Sequence, residues 1–307
     1  MPNKSLLSLL RAFRSGTPHI ALWLFPPNRD RMPDPSPDTA ARMLPLMREA
    51  ARAAGALAFD HFRHGGKTSA RIWSKHGGSP VTEADMLVDR FLKERLEAAL
   101  PEAAWLSEET IDDPVRLERR LVWIVDPIDG TRAFLGGHPD WSVVIALVLD
   151  GRPIAGIVYA PAHEALYEAA RGQGATRNGA ALSGSKAPSL RDARTAGPKP
   201  LVDTLESRAG RLHRLEKIPS LALRLARVAE GVVDIGLVSS NSHDWDLAAS
   251  DLILQEAGAR LSDLDGNEPV YNRPEPFHGE LAAASGRLHP RVIEAMRAPA
   301  RAAVSLR

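Results

Sequence analysis

The sequence predicts an α+β fold in which mostly antiparallel strands are layered with helices. Two apolar runs in residues 141–161 flank Asp150-Gly151, a pattern typical of a β-hairpin. The uniformly apolar run in residues 119–127 indicates a buried, central strand. Residues 37–62 instead repeat their apolar side chains at helical spacing. This mixture of hairpins and helices predicts an α+β sandwich.

The first half of the chain alternates helices with strands. After the helix over residues 37–62 and a glycine-containing loop, a second helix is predicted to open at Thr82, a typical N-cap residue, and to run to Leu100. The stretch "AAWLSEET" (residues 103–110) predicts a short strand that ends in acids. "RRLVWIVDP" (119–127) predicts the central strand.

The second half continues this pattern. "EALYEAA" (164–170) is expected to extend the sheet, and "SLALRLARVAEG" (220–231) predicts a helix closed by Gly231. A strand over 232–240 and a helix ending at Gly258 follow. "ARLSDLDGNEPV" (259–270) predicts another hairpin, with Asp265-Gly266 at its turn.

Four segments are expected along the chain. Residues 1–36 are a leader, either a disordered extension or translation assigned upstream of the true start; a targeting segment is the alternative, because residues 1–31 are basic. Residues 37–182 form an N-terminal half and residues 183–300 a C-terminal half, with the Gly-, Pro- and Arg-rich residues 172–212 marking the change between them. Residues 301–307 are a tail.

Composition excludes several classes of protein. The net charge is +1, which argues against a dedicated binder of nucleic acid polymers or membrane surfaces. The chain has no cysteine, so thiolate catalysis, disulfides and cysteine-bound zinc are excluded and a cytoplasmic location is expected. No apolar run approaches the ~20 residues that span a bilayer.

Carboxylates cluster at the ends of predicted elements, and each has a structural explanation as well as a functional one. Asp85 follows Thr82 at the spacing of a capping box. Glu108 and Glu109 suit a solvated loop, and Asp244 or Asp246 suits an N-cap.

The pair Asp126 and Asp129 is harder to explain structurally, because charge at the end of a buried strand is costly unless it is compensated. The pattern is not an EF-hand, whose loop needs an oxygen ligand where Ile128 stands. Two carboxylates with the Ile128 carbonyl suit a hard ion such as Mg²⁺. Gly130 and Thr131 then open a short helix whose N–H groups suit a phosphate. Metal beside phosphate indicates metal-assisted hydrolysis of a phosphate ester.

Four motifs in order, "SPVTEAD", "LSEET", "WIVDPIDGTRAF" and "HDWDLAASDLILQEAG", together resemble the inositol monophosphatase superfamily of lithium-sensitive, magnesium-dependent phosphatases. The resemblance covers roughly residues 38–297 and implies a layered α-β-α-β-α sandwich of the inositol monophosphatase and fructose-1,6-bisphosphatase type. It implies two or three Mg²⁺ ions. Their ligands would be Glu108, Asp126, the Ile128 carbonyl, Asp129 and Asp246.

The resemblance also assigns roles to the neighbouring residues. Asp85 and Thr131 match the positions that hold and polarise the attacking water, together with Glu108 as a catalytic residue. Glu109 matches a supporting acid. Gly130 and Thr131 would hold the phosphate through their backbone N–H groups.

Within the superfamily the chain is most similar to the 3′(2′),5′-bisphosphate nucleotidases, which remove a phosphate from adenosine 3′,5′-bisphosphate formed during sulfate assimilation. "DGTRAF" lacks the asparagine usual in inositol phosphatases, and Ser107 replaces a glycine before the paired glutamates. The residues expected to contact substrate are Lys75, Arg132, Ser220 and Arg224. Ala222 stands where the nucleotidase pattern often has lysine, so an inositol-1-phosphatase or broad sugar-phosphate phosphatase stays an alternative.

The partner expected from these observations is a small phosphorylated molecule, and a homodimer is compatible with the sequence. The alternative from another class is a non-catalytic, metal-binding interaction protein that keeps the fold. Loss of Asp85, Glu108 or Asp246 would favour that alternative, and all three are present.

Overall fold

A computed structural model describes residues 38–74 and 80–297. The described residues from Ala40 onward belong to one compact unit. The leader and tail predicted at residues 1–36 and 301–307, and Lys75, lie outside the described residues. Apart from residues 37–39, the described residues of both predicted halves lie in this unit, and the boundary at residue 182 stays a prediction.

Seven α-helices lie in the described residues. They are α1 (Thr39–Phe59), α2 (Glu83–Ala99), α3 (Thr131–Leu135), α4 (Lys199–Ala209), α5 (Leu221–Glu230), α6 (Asp244–Glu256) and α7 (His289–Arg297). Two 3₁₀ turns, Pro114–Glu118 and Pro161–His163, connect strands.

A seven-stranded sheet carries the strands in the order β3-β4-β5-β6-β7-β8-β9. These are β3 (Ala104–Ser107), β4 (Leu121–Asp129), β5 (Ser142–Leu149), β6 (Arg152–Ala160), β7 (Ala165–Ala170), β8 (Ala175–Arg177) and β9 (Ala180–Ala181). The pair β3 and β4 is parallel, and the other neighbours are antiparallel. The expected hairpin about Asp150-Gly151 is confirmed as β5 and β6, and β4 is an interior strand with nine buried residues.

A five-stranded sheet has the order β11-β10-β12-β16-β14. Its strands are β10 (Arg194–Ala196), β11 (His213–Arg214), β12 (Ile235–Val238), β14 (Ala259–Asp263) and β16 (Leu281–Ser285). Two small ladders complete the fold, β1 (Ile72–Ser74) with β2 (Pro80–Thr82), and β13 (Ser242–His243) with β15 (Phe277–His278).

Side-chain alternation along β4 shows how the layers are built. Val122 and Ile124 face a core shared with α5 and α6, whereas Trp123 and Val125 face a core shared with α1 and α2. Helices α5 and α6 also cover one face of the five-stranded sheet, and α4 and α7 cover its other face. The order is therefore helix, sheet, helix, sheet, helix, which confirms the layered α+β sandwich.

One predicted element is wrong. A turn does form at Asp265-Gly266, where the Asp263 side chain accepts the N–H groups of Asp265 and Asn267, each at 2.8 Å. The strand before this turn, β14, pairs with β16 instead of with the residues that follow it. Residues 259–270 are therefore not a hairpin, because the partner strand comes from residues 281–285.

The described helices include none long and apolar enough to cross a membrane.

Candidate metal centre

The end of β4 carries a β-bulge that brings Asp126 and Asp129 to the same place. Asp126 lies opposite Val144 and Asp129 opposite Ser142, so β4 has one residue more than β5 over this interval. Pro127 lies in the bulge and has no N–H to donate to the ladder, which is where a proline is tolerated inside a sheet. In a regular strand, the side chains of residues three apart point to opposite faces of the sheet. The extra residue of the bulge lets Asp126 and Asp129 point to the same face.

A third carboxylate arrives from α6. Oxygen atoms of Asp126, Asp129 and Asp246 lie within 4.8 Å of one another. Asp126 and Asp129 are buried, and Asp246 is half-buried in the first turn of α6. The expected convergence of residue 246 on the strand end is therefore present in the fold.

Backbone N–H groups orient all three carboxylates. The Ile128 N–H donates to Asp126 Oδ1 at 3.0 Å, and the His243 N–H donates to Asp246 Oδ2 at 2.7 Å. Asp129 Oδ2 accepts the Ala222 N–H at 2.7 Å. Each donor is part of a regular element or its cap, so the acids are held in place by the fold.

Burial and mutual repulsion raise the pKa values of this cluster. The pKa of Asp126 lies well above its usual range because of burial and the charges of neighbouring acids, Glu108 first. The pKa of Asp246 is also raised well above its usual range, by burial and then by Asp129. Burial raises the pKa of Asp129 to about 6, although hydrogen bonds from Ser220 and Ala222 oppose the shift.

Glu108 follows β3 on a turn that is fixed from α2. The buried carboxylate of Asp89 accepts the Ser107 hydroxyl through one oxygen and the Thr110 hydroxyl through the other, the latter at 2.6 Å. Glu108 and Glu109, both half-buried, lie between these two anchors. Sequence reasoning missed Asp89, although its position four residues after Asp85 places both acids on one face of α2.

Asp85 forms the capping box that its spacing predicted. Its Oδ2 accepts the Thr82 N–H at 2.8 Å and the Thr82 hydroxyl at 2.5 Å, while the Thr82 side chain accepts the N–H of Asp85. The same carboxylate adds to the charges that raise the pKa of Asp126. The structural and the functional readings of Asp85 are therefore compatible.

The other structural reading of the acids, an N-cap on α6, is wrong. The N-cap is His243, Asp244 is the first residue of the helix, and Asp246 is the third. Asp244 is buried and accepts hydrogen bonds from the Asn272 N–H and from His278 Nε2, each at 2.7 Å.

Gly130 connects β4 to α3 in a conformation that requires glycine. Its φ is +90°, and a Cβ at this position would lie 3.1 Å from the Asp140 carbonyl oxygen and 3.2 Å from the Ser220 nitrogen. Helix α3 begins at Thr131 as expected. The N–H groups of Ala133 and Phe134 donate to the Gly130 carbonyl at 2.8 and 3.1 Å, so those of Gly130 and Thr131 precede the bonds of the first turn. Thr131 Oγ1 donates to the Ile128 carbonyl at 3.2 Å.

The donor set fits a hard divalent cation. Three carboxylates with raised pKa values lie close together, and oxygen donors are those that Mg²⁺ prefers. The charges of Asp129 and Asp246 also act on the Arg224 guanidinium. Burial lowers the pKa of Arg224 overall, although these two charges oppose the shift.

Two residues expected to contact substrate have other contacts. Ser220 is buried; its hydroxyl donates to Asp129 Oδ2 at 2.6 Å and lies 3.0 Å from the Ser142 hydroxyl. The Arg224 guanidinium is buried and donates to the carbonyls of Leu237 at 3.0 Å and Ile218 at 3.1 Å. Ser220 thus helps to hold Asp129, and the contacts of Ser220 and Arg224 with substrate stay predictions. Arg132 is exposed on α3, and its role stays a prediction.

Comparisons with known proteins identify the class of protein. A model of the inositol monophosphatase family matches residues 40–300. The 3′(2′),5′-bisphosphate nucleotidase CysQ of Aggregatibacter actinomycetemcomitans is 30% identical over 229 residues, which cover 71% of this chain and 84% of the relative. The histidinol-phosphatase of Mycobacterium tuberculosis is 36% identical over 256 residues, 76% of this chain and 90% of the relative.

A solved structure gives the same result for the fold. The extragenic suppressor protein suhB from Bartonella henselae is similar with a TM-score of 0.74 at 27% identity, over 83% of this chain and 98% of that chain. Together the fold and the relatives define a phosphatase, a hydrolase of phosphate esters. The chain belongs to the inositol monophosphatase family, which confirms the resemblance drawn from its four motifs.

Proposed function

We propose that the chain is a Mg²⁺-dependent phosphomonoesterase that hydrolyses the 3′-phosphate of adenosine 3′,5′-bisphosphate. The observation that carries the proposal is the convergence of Asp126, Asp129 and Asp246, with oxygen atoms within 4.8 Å of one another. Glu108 and the Ile128 carbonyl complete the proposed ligand set for two or three Mg²⁺ ions. When bound, the metal lowers the pKa of water and stabilises the leaving oxygen.

The residues of the chain have separate tasks in this proposal. Asp85 and Thr131 accept hydrogen bonds from the attacking water, which hold and polarise it. Because the Thr131 hydroxyl donates its hydrogen to the Ile128 carbonyl, its oxygen lone pairs are available to accept a hydrogen bond from the attacking water. The N–H groups of Gly130 and Thr131 bind the phosphate at the start of α3. Glu109 supports Glu108 on the same turn.

Specific observations favour two other candidate substrates. The histidinol-phosphatase of M. tuberculosis, at 36% identity, favours histidinol phosphate. Membership of the inositol monophosphatase family favours inositol 1-phosphate or a broader set of sugar phosphates. The nucleotide comes first because the departures at Ser107 and Ala133 and the similarity to the bisphosphate nucleotidase favour it. We expect the enzyme to act in the cytoplasm, and a homodimer stays a prediction.

The test is a phosphate-release assay with Mg²⁺ on four esters at equal concentration: adenosine 3′,5′-bisphosphate, histidinol phosphate, inositol 1-phosphate and fructose 1,6-bisphosphate. We expect the highest kcat/KM with the nucleotide, and no release after chelation of the metal. Asp60→Asn, at an exposed position, is the control for Asp246→Asn, which should abolish release. Release from none of the esters would contradict the proposal and favour the non-catalytic, metal-binding alternative.

A further inference from the structure

Two aromatic rings lie in parallel contact beside the metal centre. The His243 imidazole stacks on the Trp245 indole with ring centroids 4.5 Å apart and an interplanar angle of 4°. Trp245 is half-buried and packs against the core around α5 and α6, so the protein holds its indole in place. The His243 side chain is 41% exposed. Part of the imidazole is therefore accessible to solvent while one of its faces lies on Trp245.

The stack is tied to the acidic cluster by short distances. The His243 N–H donates to Asp246 Oδ2 at 2.7 Å, and His243 Nδ1 lies 4.0 Å from the same oxygen. An oxygen of Asp246 lies within 4.8 Å of oxygens of Asp126 and Asp129. The imidazole is therefore at the rim of the centre, within the reach of a small ester whose phosphate lies at the carboxylates.

A third ring extends the same surface. In the β13–β15 ladder, His243 lies directly opposite Phe277. Opposite residues in an antiparallel pair place their side chains on the same face, with Cβ atoms close enough for contact. Phe277 is 42% exposed, so part of its side chain is accessible to a ligand.

We propose that this aromatic platform, His243, Trp245 and Phe277, binds a flat heteroaromatic ring in the leaving group of the substrate. The inference rests on the proposed function, because the phosphate of the same molecule would lie at the acidic cluster. Flat rings stack favourably on aromatic faces, whereas a polyol such as inositol has no π-face to contribute. The platform therefore selects for an adenine or imidazole ring attached to the phosphate ester.

Two measurements test the platform in the full-length protein. The first compares kcat/KM for adenosine 3′,5′-bisphosphate and for histidinol phosphate with kcat/KM for glycerol 2-phosphate, which has no ring. In His243→Ala, we expect the ratio for at least one ring-bearing ester to fall about ten-fold, mainly through KM. His243→Phe, which keeps a flat ring, should restore most of that ratio. Ile111→Ala, at a position that is 94% exposed, is the matched control and should leave the ratio unchanged.

The second measurement is the equilibrium binding of the same three esters with Ca²⁺ in place of Mg²⁺. Ring-bearing esters should bind more weakly to His243→Ala and to Phe277→Ala than to the wild type. The affinity for glycerol 2-phosphate should be the same in all three proteins. Preference for the adenine or the imidazole ester identifies the ring. An equal loss for all three esters, no change in any, or no binding to the wild-type protein would overturn the platform. If ring-dependent binding holds but Mg²⁺ supports no hydrolysis, the platform stands and the proposed function fails.

Discussion

Asp129 combines a proposed metal-ligand position with the cost of a buried charge. Burial raises its pKa to about 6, and replacement by asparagine removes the charge while leaving an oxygen to accept the Ser220 and Ala222 hydrogen bonds. We therefore expect Asp129→Asn to fold normally in the absence of metal but to lose at least about 100-fold in kcat at saturating Mg²⁺. Steady-state kinetics of the purified variant beside Asp60→Asn measures this. Near-normal turnover would contradict the assignment of Asp129 to the metal.

Asp251 is a buried acid outside the metal centre. Burial raises its pKa to about 6, against hydrogen bonds from Gln255 and from the Tyr271 hydroxyl, the latter at 2.9 Å. Because the pKa of Asp251 is higher in the folded protein, its protonated form stabilises the fold. This stabilisation is fully present below the unfolded pKa near 3.8 and is lost as the pH rises through about 6.

Asparagine at position 251 does not titrate. Asp251→Asn should therefore gain stability relative to the wild type between pH 4 and pH 8, by about 2–3 kcal/mol at the upper end, because each unit of pKa corresponds to ~1.4 kcal/mol. Denaturant unfolding at stepped pH, with metal chelated, measures the difference. A difference that stays constant across this range would show that Asp251 does not titrate near pH 6.

At the scale of elements, the connection from β4 to α3 depends on Gly130. Alanine there would have both an unfavourable φ of +90° and a Cβ 3.1 Å from the Asp140 oxygen. Gly172 has a φ of +76° with no atom within 4 Å of a built Cβ, so Gly172→Ala is a control that carries the conformational strain alone. We expect both variants to lose ~1–2 kcal/mol of stability. Only Gly130→Ala should also lose ten-fold or more in kcat, and equal kinetics in the two would contradict the close packing.

The turn after β3 is the second element that positions a proposed ligand. Thr110→Val keeps the shape of the side chain but removes its hydrogen bond to the buried Asp89. The loss of a bond to a charged group costs about 1.5–3 kcal/mol, and part of it should appear as weaker metal binding, since Glu108 lies on this turn. A Mg²⁺ titration followed by calorimetry should show a several-fold higher Kd.

Thr204→Val is the matched control for this variant, because the Thr204 hydroxyl donates to a carbonyl of its own helix, that of Pro200 at 2.9 Å. If the two variants bind Mg²⁺ equally well, the turn does not position Glu108.

The candidate metal centre joins separate layers of the fold. Asp126 and Asp129 belong to the seven-stranded sheet, and Asp246 belongs to a helix between the two sheets. A cation held by all three should stabilise the native state by mass action, by ~2.7 kcal/mol at a concentration one hundred times Kd. We expect Mg²⁺ to raise the Tm of the wild type by several degrees and to have little effect on Asp246→Asn. Scanning calorimetry with and without chelator checks this, and an equal shift in both proteins would show that Asp246 does not bind the ion.

The sequence predicted local features better than distant pairings. The helix start at Thr131, the end of α5 at Gly231 and the β5–β6 hairpin follow from residue patterns within a few positions, and the structure confirms them. The pairing of β14 with β16 could not be predicted this way, because a good turn at Asp265-Gly266 fixes no strand partner. Likewise, four motifs predicted the convergence of the acids, but the buried contacts of Ser220, Arg224 and Asp89 depend on tertiary packing that spacing does not reveal.

The Ser220 hydroxyl has a further consequence. It accepts the Leu223 N–H at 3.0 Å as the cap of α5 and donates to Asp129, so unwinding the first turn of that helix would also release the acid. Deuterium uptake at the amide of Leu223 should consequently report whether Asp129 is held in place, even when no substrate is present.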